Sequence, residues 1–408
     1  MEFLTYVYLF FISISLYMSS LFLILFFKNR GNLDEERKAT KFPTLSVLIP
    51  AWNEGGTIAD TIQAVLDSDY PQDKIEIIAI NDGSTDNTLA EMKKFKDKIR
   101  IFDKPNSGKA DSMNQAIKLA KNEYLAVIDA DSYPVKTALR DMVAYLEEKD
   151  VVAVTSAILV KNRKKLIEKL QAIEYAVIAW GRKLLQYIEG IYVAPGPLSI
   201  YHRESFISYG GFDTNNLTED IEATWKILSH NKKVRIDLRA KVYTTVPSKI
   251  KVWWRQRLRW NLGGFQTMWK YKKLFFNPAY GMMGLFVVPF FILTFALSLV
   301  GFLVFTFVLV RNLTKAYLLN NYVNAADSSF MRLDYLNFNP NVFAFFAAIL
   351  VFLGILYLIF SQRCIENKKI SLRSYPVYAI YLLIYLTLYP LVLIHTLYRI
   401  VSRKKLRW

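Results

Sequence analysis

The sequence predicts an α/β domain built on a mostly parallel sheet and joined to helices that cross or line a membrane. Residues 41–250 alternate between short apolar runs and helix-like segments, which is typical of a parallel sheet covered by helices. Residues 3–27, 281–310 and 341–360 carry no charge, and 375–398 carry only a histidine. Each of these stretches is long enough to cross about 30 Å of hydrocarbon as a helix.

The amino-acid composition indicates which kinds of molecule the protein is expected to bind. The 408 residues are 53% hydrophobic and carry a formal net charge of +17. A basic membrane protein is attracted to anionic lipid head groups, so membrane lipids are expected partners. No soluble module combines a basic face with interleaved aromatic residues, so the sequence predicts no nucleic-acid binding. An anionic substrate such as a nucleotide diphosphate remains open.

The first segment, residues 1–28, is predicted to be a transmembrane anchor. A signal peptide is the alternative, but Glu2 stands where a basic residue is expected and no small-residue cleavage site follows. Five basic residues follow between Lys28 and Lys41, and the positive-inside rule then places the 41–250 domain in the cytosol. The lone Cys364 rules out an intramolecular disulfide, which fits that placement. We therefore expect an integral protein of the cell membrane.

The C-terminal part is predicted to hold an interfacial helix region at 251–278 and a transmembrane region at 279–408. Helices are expected near 281–310, 341–361 and 375–401. Three crossings would leave the basic residues 403–408 outside, against the positive-inside rule. Either one segment lies in the interface, broken near Pro289 or Pro390, or the C-terminus is external.

Within 41–250, four apolar runs are predicted to be strands, with helices after the first three. The runs are residues 45–51, 75–80, 99–104 and 124–131. In such sheets ligands bind at the carboxyl ends of the strands. The residues that follow strands 1, 2 and 4 should therefore meet in one cleft, and they are Asn53-Glu54, Asn81-Asp82 and Asp129-Ala130-Asp131.

Asp129 and Asp131 end the fourth run, one residue apart. Strand alternation would place both carboxylates on one side, where they could share a hard divalent cation. Such a cation on a diphosphate acts as a Lewis acid. The plain alternative is a helix cap or a solvated turn.

Asp82 lies in the turn sequence NDGST. Asx-Gly is a common turn former, so Asp82 could serve the turn alone. At a strand end that faces the cleft, its carboxylate could instead contact the ring or ribose of a nucleotide.

Glu219 and Asp220 follow Thr218 at the start of a helical pattern. A capping box is the plain explanation, but Ile221 at the third position does not complete one. A carboxylate here could act as a general base. Lys109 follows a glycine at another helix N-terminus, where an anion is favoured. Together these signals predict metal-assisted transfer of a group held on a nucleotide diphosphate.

These segments resemble the processive, membrane-embedded branch of the inverting glycosyltransferases of family 2, which includes chitin, hyaluronan, cellulose and poly-N-acetylglucosamine synthases. The matching stretches are VLIPAWNE (47–54), NDGSTDNT (81–88), NSGKADSMNQAI (106–117), VIDADS (127–132), TEDIE (218–222) and QRLRW (256–260). The resemblance covers about half of the chain and implies a GT-A type catalytic domain.

The resemblance also implies which residues form the active site. Asp220 corresponds to the catalytic base, with Glu219 beside it, and Asp131 to the ligand of Mg²⁺ or Mn²⁺. The expected substrate-binding residues are Glu54, Asp82, Lys109, Asp129, Gln256, Arg257, Arg259 and Trp260. Of these, Arg259 corresponds to a diphosphate contact and Trp260 to a platform for the acceptor sugar. An arginine fork suits phosphate oxygens, and an indole offers a flat face to a sugar ring.

Two departures from the family pattern stand out. Asn81 replaces the first acid of a D-D-G-S motif, and GPLSIYHRES (196–205) replaces a segment that is richer in small residues. His202 occupies an arginine-like slot there, and we expect it to pack or to contact the acceptor.

The resemblance implies a membrane-embedded inverting β-glycosyltransferase that polymerises a UDP-activated sugar, UDP-N-acetylglucosamine above all, and passes the glycan through the membrane. The expected partners are the UDP-sugar donor, a glycan or lipid-linked acceptor, and membrane lipids. One alternative is transfer of a single sugar to a lipid, and a remote one is an inactive scaffold subunit.

Overall fold

The computed structural model describes residues 2–323, 342–367 and 374–402. Its helices are α1 (Glu2–Asn29), α2 (Ile58–Leu66), α3 (Thr88–Lys93), α4 (Lys109–Leu119), α5 (Ala138–Val143), α6 (Leu166–Gln186), α7 (Arg203–Ser208), α8 (Glu219–Ser229), α9 (Ile250–Lys270), α10 (Val288–Val323), α11 (Val342–Glu366), α12 (Tyr375–Ile380) and α13 (Leu386–Val401). Its strands are β1 (Leu45–Ala51), β2 (Ile75–Asp82), β3 (Arg100–Lys104), β4 (Tyr124–Val127), β5 (Ser132–Pro134), β6 (Val151–Val160), β7 (Ser199–His202) and β8 (Lys233–Thr244).

The strands form one eight-stranded sheet in the order β3-β2-β1-β4-β7-β6-β8-β5. The first four positions are parallel, as the strand–helix alternation predicts. The second half is mixed, because β7 runs antiparallel to β4 and β6, and β5 antiparallel to β8. The predicted parallel arrangement therefore holds in the first half and for the pairing of β6 with β8, and the antiparallel pairings make the whole sheet mixed. A run of apolar residues predicts a strand, but it does not predict whether that strand runs parallel or antiparallel to its neighbours.

Helices cover both faces of the sheet, and one face also receives the membrane helices. The first face packs on α2 and α5, through Ile62 and Met142 for example. The second face packs on α4, α6 and α8. There the Phe26 ring of α1 lies 5.4 Å from Trp180 of α6 and stacks on Phe360 of α11 at 4.6 Å. Helix α6 thus separates the sheet from the membrane helices.

Four helices are long and apolar enough to span a membrane, in agreement with the predicted arrangement of one before the sheet and three after it. Their candidate spans are Leu9–Asn29, Met283–Leu318, Ala348–Glu366 and Tyr375–Val401. The breaks considered near Pro289 and Pro390 do not occur. Pro289 follows a π-helical turn, Met283–Val287, that runs directly into α10, and α13 continues through Pro390. Residues 403–408, which raised the topology question, lie outside the described residues.

The fourth strand is shorter than predicted. β4 ends at Val127, and Asp129 and Asp131 lie in the turn between β4 and β5. The Ile128 N–H still donates to the Leu48 carbonyl at 3.0 Å, but the Asp129 N–H turns to the Gly196 carbonyl at 3.1 Å. The acidic pair is therefore positioned by a turn and not by strand alternation.

Candidate active site

The loops that follow β1 and β2 are joined by hydrogen bonds at the carboxyl edge of the sheet. The Glu54 N–H donates to the Thr88 hydroxyl at 2.8 Å, and the Thr85 N–H donates to the Asn53 side chain at 2.8 Å. Asn53 has a positive φ of 55°, which turns the chain out of β1. This edge is therefore a fixed rim, as its turn-rich sequence predicts.

The Asp82 carboxylate, at the end of β2, is buried and binds the loop before α4. Its Oδ1 accepts from Lys104 Nζ at 2.6 Å and from the Ser107 N–H at 2.9 Å, and its Oδ2 accepts from the Gly108 N–H at 2.9 Å. Burial alone would raise the pKa of Asp82, but these hydrogen bonds outweigh it and hold that pKa below its usual value. Asp82 thus shapes the loop that presents Lys109.

Lys109, the first residue of α4, joins two separate parts of the cleft. Its Nζ lies 2.6 Å from Asp129 Oδ1 and 2.9 Å from Glu219 Oε1. Burial opposes the charge of the ammonium, but the two carboxylates outweigh this and hold the pKa of Lys109 above its ordinary value. This side chain connects the acidic turn after β4 with the start of α8.

Gly196 lies against this ion pair, and a larger residue there would require the two charged side chains to shift. A Cβ on residue 196 would stand 2.6 Å from Asp129 Oδ1 and 2.7 Å from Lys109 Nζ. The same residue accepts the Asp129 N–H through its carbonyl. The loop between α6 and β7 therefore forms part of the catalytic cleft.

Asp131 stands beside two other carboxylates. Its Oδ1 accepts only from hydroxyl groups, Ser132 at 3.2 Å and Thr244 at 3.3 Å, among the side chains described. Burial, followed by the charges of Asp129 and Glu54, raises the pKa of Asp131 to about 6. Negative charge is therefore concentrated at this corner of the cleft.

Asp220 begins the first turn of α8 beside Glu219. Burial and the Glu219 charge raise the pKa of Asp220 to about 6, against the opposing charges of Lys109 and Arg259. For Glu219, burial is outweighed by Lys109, and its pKa is lowered. The two adjacent acids therefore differ, one held ionised by Lys109 and the other poised to take a proton near neutral pH.

Helix α9 holds the segment just before Asp220. Arg259 Nη1 donates to the Leu217 carbonyl at 3.1 Å, and the Leu217 N–H donates to the Gln266 side chain at 3.0 Å. A Cβ on Gly263 would stand 2.2 Å from Thr218 Oγ1, so a glycine is required where α9 crosses this segment. Arg259 of QRLRW thus bonds the residue just before the TED motif, and Gly263, in the next turn of α9, lies against Thr218 of that motif.

Arg257 is enclosed inside the protein and does not face the cleft. It is 1% exposed, and its Nη2 lies 2.6 Å from Glu174 Oε2 on α6. Its Nε donates to the Tyr389 hydroxyl at 3.0 Å and its Nη1 to the Gln256 side chain at 2.7 Å. Its guanidinium lies 4.0 Å from the centre of the Trp260 ring. This geometry does not support the substrate contact expected for Arg257, because its nitrogens already have protein partners.

The same network reaches the last membrane helices. The Tyr385 hydroxyl donates to Glu174 at 2.6 Å and accepts from Trp253 Nε1 at 2.7 Å. Trp253 is fully buried, so it anchors α9 to protein and not to lipid head groups.

His202 caps a helix, because its ring accepts a hydrogen bond from the Ser205 N–H at the start of α7.

The structure brings most of the predicted residues to one edge of the sheet. The acidic pair, Lys109, Glu219 and Asp220 meet there, with Glu54 on the rim and Arg259 on α9. Sequence reasoning did not identify Lys104, Gly196 or Glu174. Gly196 in the PGP turn was the one with a visible signal, whereas the other two are defined by partners distant in sequence.

Comparison with known proteins identifies the class. Residues 46–210 match the family model described as glycosyl transferase family 2. The chain is 34% identical over 229 residues to the poly-beta-1,6-N-acetyl-D-glucosamine synthase of Staphylococcus epidermidis, and 32% identical over the same length to that of Staphylococcus aureus strain MSSA476. Each match covers 55% of this chain and 55% of the relative, so about half of the relatives' length is matched. Over residues 46–210 the chain is therefore similar to family 2 glycosyltransferases, as the motifs indicate.

Among solved structures, the fold is similar to that of the mannosyltransferase PcManGT from Pyrobaculum calidifontis in complex with GDP-Man and Mn²⁺. The TM-score is 0.61 with 18% identity, covering 97% of this chain and 100% of that chain. At this identity the likeness concerns the fold, and it confirms the predicted GT-A type arrangement with its added helices.

Proposed function

We propose that this protein is a membrane-embedded inverting β-glycosyltransferase that polymerises N-acetylglucosamine from UDP-N-acetylglucosamine. The observation that carries the proposal is the Lys109 bridge, 2.6 Å from Asp129 and 2.9 Å from Glu219. It supports a single site in which the acidic turn would hold the donor and Asp220, next to Glu219, would meet the acceptor. The sequence similarity to poly-N-acetylglucosamine synthases supports the choice of sugar.

The donor diphosphate would lie between α4 and α9. Lys109 and Arg259 supply cationic donors from opposite sides, and Arg259 can donate a fork of N–H groups to phosphate oxygens. Departure of the diphosphate develops negative charge, which both cations stabilise. Asp82 acts on this step through the loop that it holds, since its own oxygens are already occupied.

A divalent cation, Mg²⁺ or Mn²⁺, fits the acidic corner. Asp131 would hold it, with Asp129 and Glu54 adding negative charge nearby. No group of three or more metal-ligating side chains occurs among the residues described, so diphosphate oxygens and water would complete the shell, as is usual for Mg²⁺. When bound, the cation neutralises charge on the leaving diphosphate.

Asp220 is proposed as the general base. The acceptor hydroxyl oxygen attacks the anomeric carbon, its proton passes to Asp220, and the bond from that carbon to the UDP oxygen breaks. Attack opposite to the leaving group inverts the anomeric centre and gives a β-linkage. Glu219 keeps Lys109 in place and so contributes indirectly.

The membrane placement is part of the proposal. The basic residues that follow α1 favour a cytosolic catalytic domain. Trp260, stacked under Arg257, would offer its free face to the acceptor sugar. The growing glycan would leave between the helices that pack on α6 and α9. We retain the proposed boundaries 1–28, 41–250, 251–278 and 279–408 for the anchor, catalytic domain, interfacial region and C-terminal membrane region.

Purified protein in nanodiscs, incubated with Mg²⁺ or Mn²⁺ and a panel of radiolabelled UDP-sugars, tests this proposal. We expect UDP-N-acetylglucosamine to give products of many lengths on a sizing gel, and Asp220→Asn to give none. A single lipid-soluble product would replace polymerisation with glycolipid synthesis. Absence of turnover with every donor would contradict the proposed activity.

A further inference from the structure

A cavity lies where the catalytic domain meets the end of the membrane helix α11. Its volume is about 390 Å³, within the range of small-molecule sites. The ends of β6 and β8, the connection after β6 and the last residues of α11 form its walls, and its charged residues are Lys161, Arg163, Lys241 and Glu366. None of its lining residues belongs to the candidate active site, so the cavity is a separate feature of the molecule.

The charges in this cavity do not balance. Arg163 Nη1 lies 2.6 Å from Glu366 Oε1, so this pair is neutral and ties the catalytic domain to the end of α11. Lys161 and Lys241 form no ion pair within the part of the chain that the structure describes. Lys161 Nζ lies 3.3 Å from the centre of the Tyr133 ring, which holds the ammonium in place without neutralising it. The lining residues therefore carry an excess of positive charge.

The cavity lies at the level where two candidate membrane spans end. These spans are Leu9–Asn29 in α1 and Ala348–Glu366 in α11. The Phe26 ring of α1 stacks on Phe360 of α11 at 4.6 Å, so the ends of the two spans run side by side. Glu366 follows Phe360 by less than two helical turns, which is about 9 Å along the helix axis. That distance from the apolar part of the helix corresponds roughly to the outer limit of the lipid head groups.

We propose that this cavity binds the phosphate of an anionic phospholipid, with Lys161 and Lys241 as the cations that hold it. A phosphodiester brings one negative charge and several acceptor oxygens, which ammonium groups can satisfy. Basic pockets beside membrane helices on the cytosolic side suit such head groups. A zwitterionic lipid also carries an ammonium group, which the two lysines would repel. The inference concerns lipid binding and not sugar transfer, and it rests on the proposed function only for the cytosolic placement of the domain.

Titration of the full-length protein in a neutral detergent tests this inference. The probes are phosphatidylglycerol, which is anionic, and phosphatidylcholine, which is zwitterionic, and native mass spectrometry counts the lipids bound to each protein molecule. The wild-type protein should bind one phosphatidylglycerol more tightly than phosphatidylcholine. In the double variant Lys161→Gln/Lys241→Gln this preference should fall by about tenfold or more, because each cation near a lipid phosphate contributes to the binding.

Two further double variants separate the cavity from general surface charge. Lys164→Gln/Lys169→Gln removes the same charge from exposed positions that do not line the cavity, so the preference should remain. Lys161→Arg/Lys241→Arg keeps both cations and should keep the preference as well. An unfolding midpoint close to that of the wild type verifies that each variant is folded.

Three results would overturn the inference. One is a wild-type protein that binds the two lipids equally. Another is an equal loss of preference in the two glutamine variants, because the attraction would then be spread over the surface. The third is displacement of phosphatidylglycerol by inorganic phosphate at a similar concentration, because the cavity would then hold a soluble anion. The proposed function fails by a different measurement, namely the absence of incorporation from UDP-N-acetylglucosamine.

Discussion

The two halves of the cleft are built in different ways. The donor half, formed by the loops after β1, β2 and β4, is held mainly by contacts between loops that leave neighbouring parallel strands, such as Asp82 with Ser107 and Gly108. The acceptor half is held by contacts between distant parts of the chain. Glu174 on α6 binds both Arg257 and Tyr385, which are 83 and 211 residues away. The difference shows that motif residues at the donor half are held by loops of neighbouring strands, whereas several at the acceptor half are held by buried partners distant in sequence.

The largest effect should come from Asp220→Asn. Removing the base should lower transfer by about 10³-fold, within the usual range for general base catalysis, and leave UDP affinity unchanged. The measurement compares product formation with UDP binding in the same preparation. Lost UDP affinity would contradict the separation of the two halves.

The pH dependence of the transfer rate should report the ionisation of the Asp220 carboxylate. Because the pKa of Asp220 is raised to about 6, the base is ionised above that pH, and the transfer rate should fall as the pH drops through about 6. UDP binding in the same buffers is the control. A transfer rate that stays constant down to pH 5 would argue against Asp220 as the base.

Gly263→Ala should lower the transfer rate next most strongly. The added Cβ would stand 2.2 Å from Thr218 Oγ1, so α9 or the TED segment must shift. A displacement of about 1 Å near a catalytic group can cost about 10²-fold in rate. Gly264→Ala is the matched control, because a Cβ there meets nothing within 4 Å. Equal rates for the two variants would show that the close crossing of α9 is unimportant.

Arg257→Met should act mainly on stability. It leaves the buried Glu174 carboxylate without its cation, and breaking such a pair costs about 3–5 kcal/mol of the free energy of unfolding. Arg255→Met, at an exposed position of the same helix, should be close to neutral. Denaturant unfolding in detergent compares the two variants. A stable Arg257→Met protein with a raised KM for the donor would restore Arg257 as a substrate contact.

The smallest effect should come from Lys104→Met at the donor half. The substitution removes one of three donors to Asp82, which should loosen the loop before Lys109 and raise the KM for the UDP-sugar about tenfold. That change corresponds to about 1.4 kcal/mol. Exposed Lys98→Met serves as the control. An unchanged KM would show that the two loop N–H groups alone hold Asp82.

The donor half and the acceptor half also differ in how well the sequence alone predicts them. The segments that carry Glu54, Asp82 and Asp131 are marked by local turn chemistry, so their position at this edge of the sheet was predictable. The position of Arg257 was not, because burial and partners from distant segments decide it. The mixed second half of the sheet was also out of reach, since strand direction depends on the path of long connections.

The most direct test of the central claim is the configuration of the bond that the protein makes. Product formed from UDP-N-acetylglucosamine, in which the sugar is α-linked, would be examined by proton NMR at the anomeric position. Direct attack by an acceptor oxygen that has lost its proton to Asp220 predicts a β-linkage throughout the product. An α-linked product would contradict the inverting mechanism and the role assigned to Asp220.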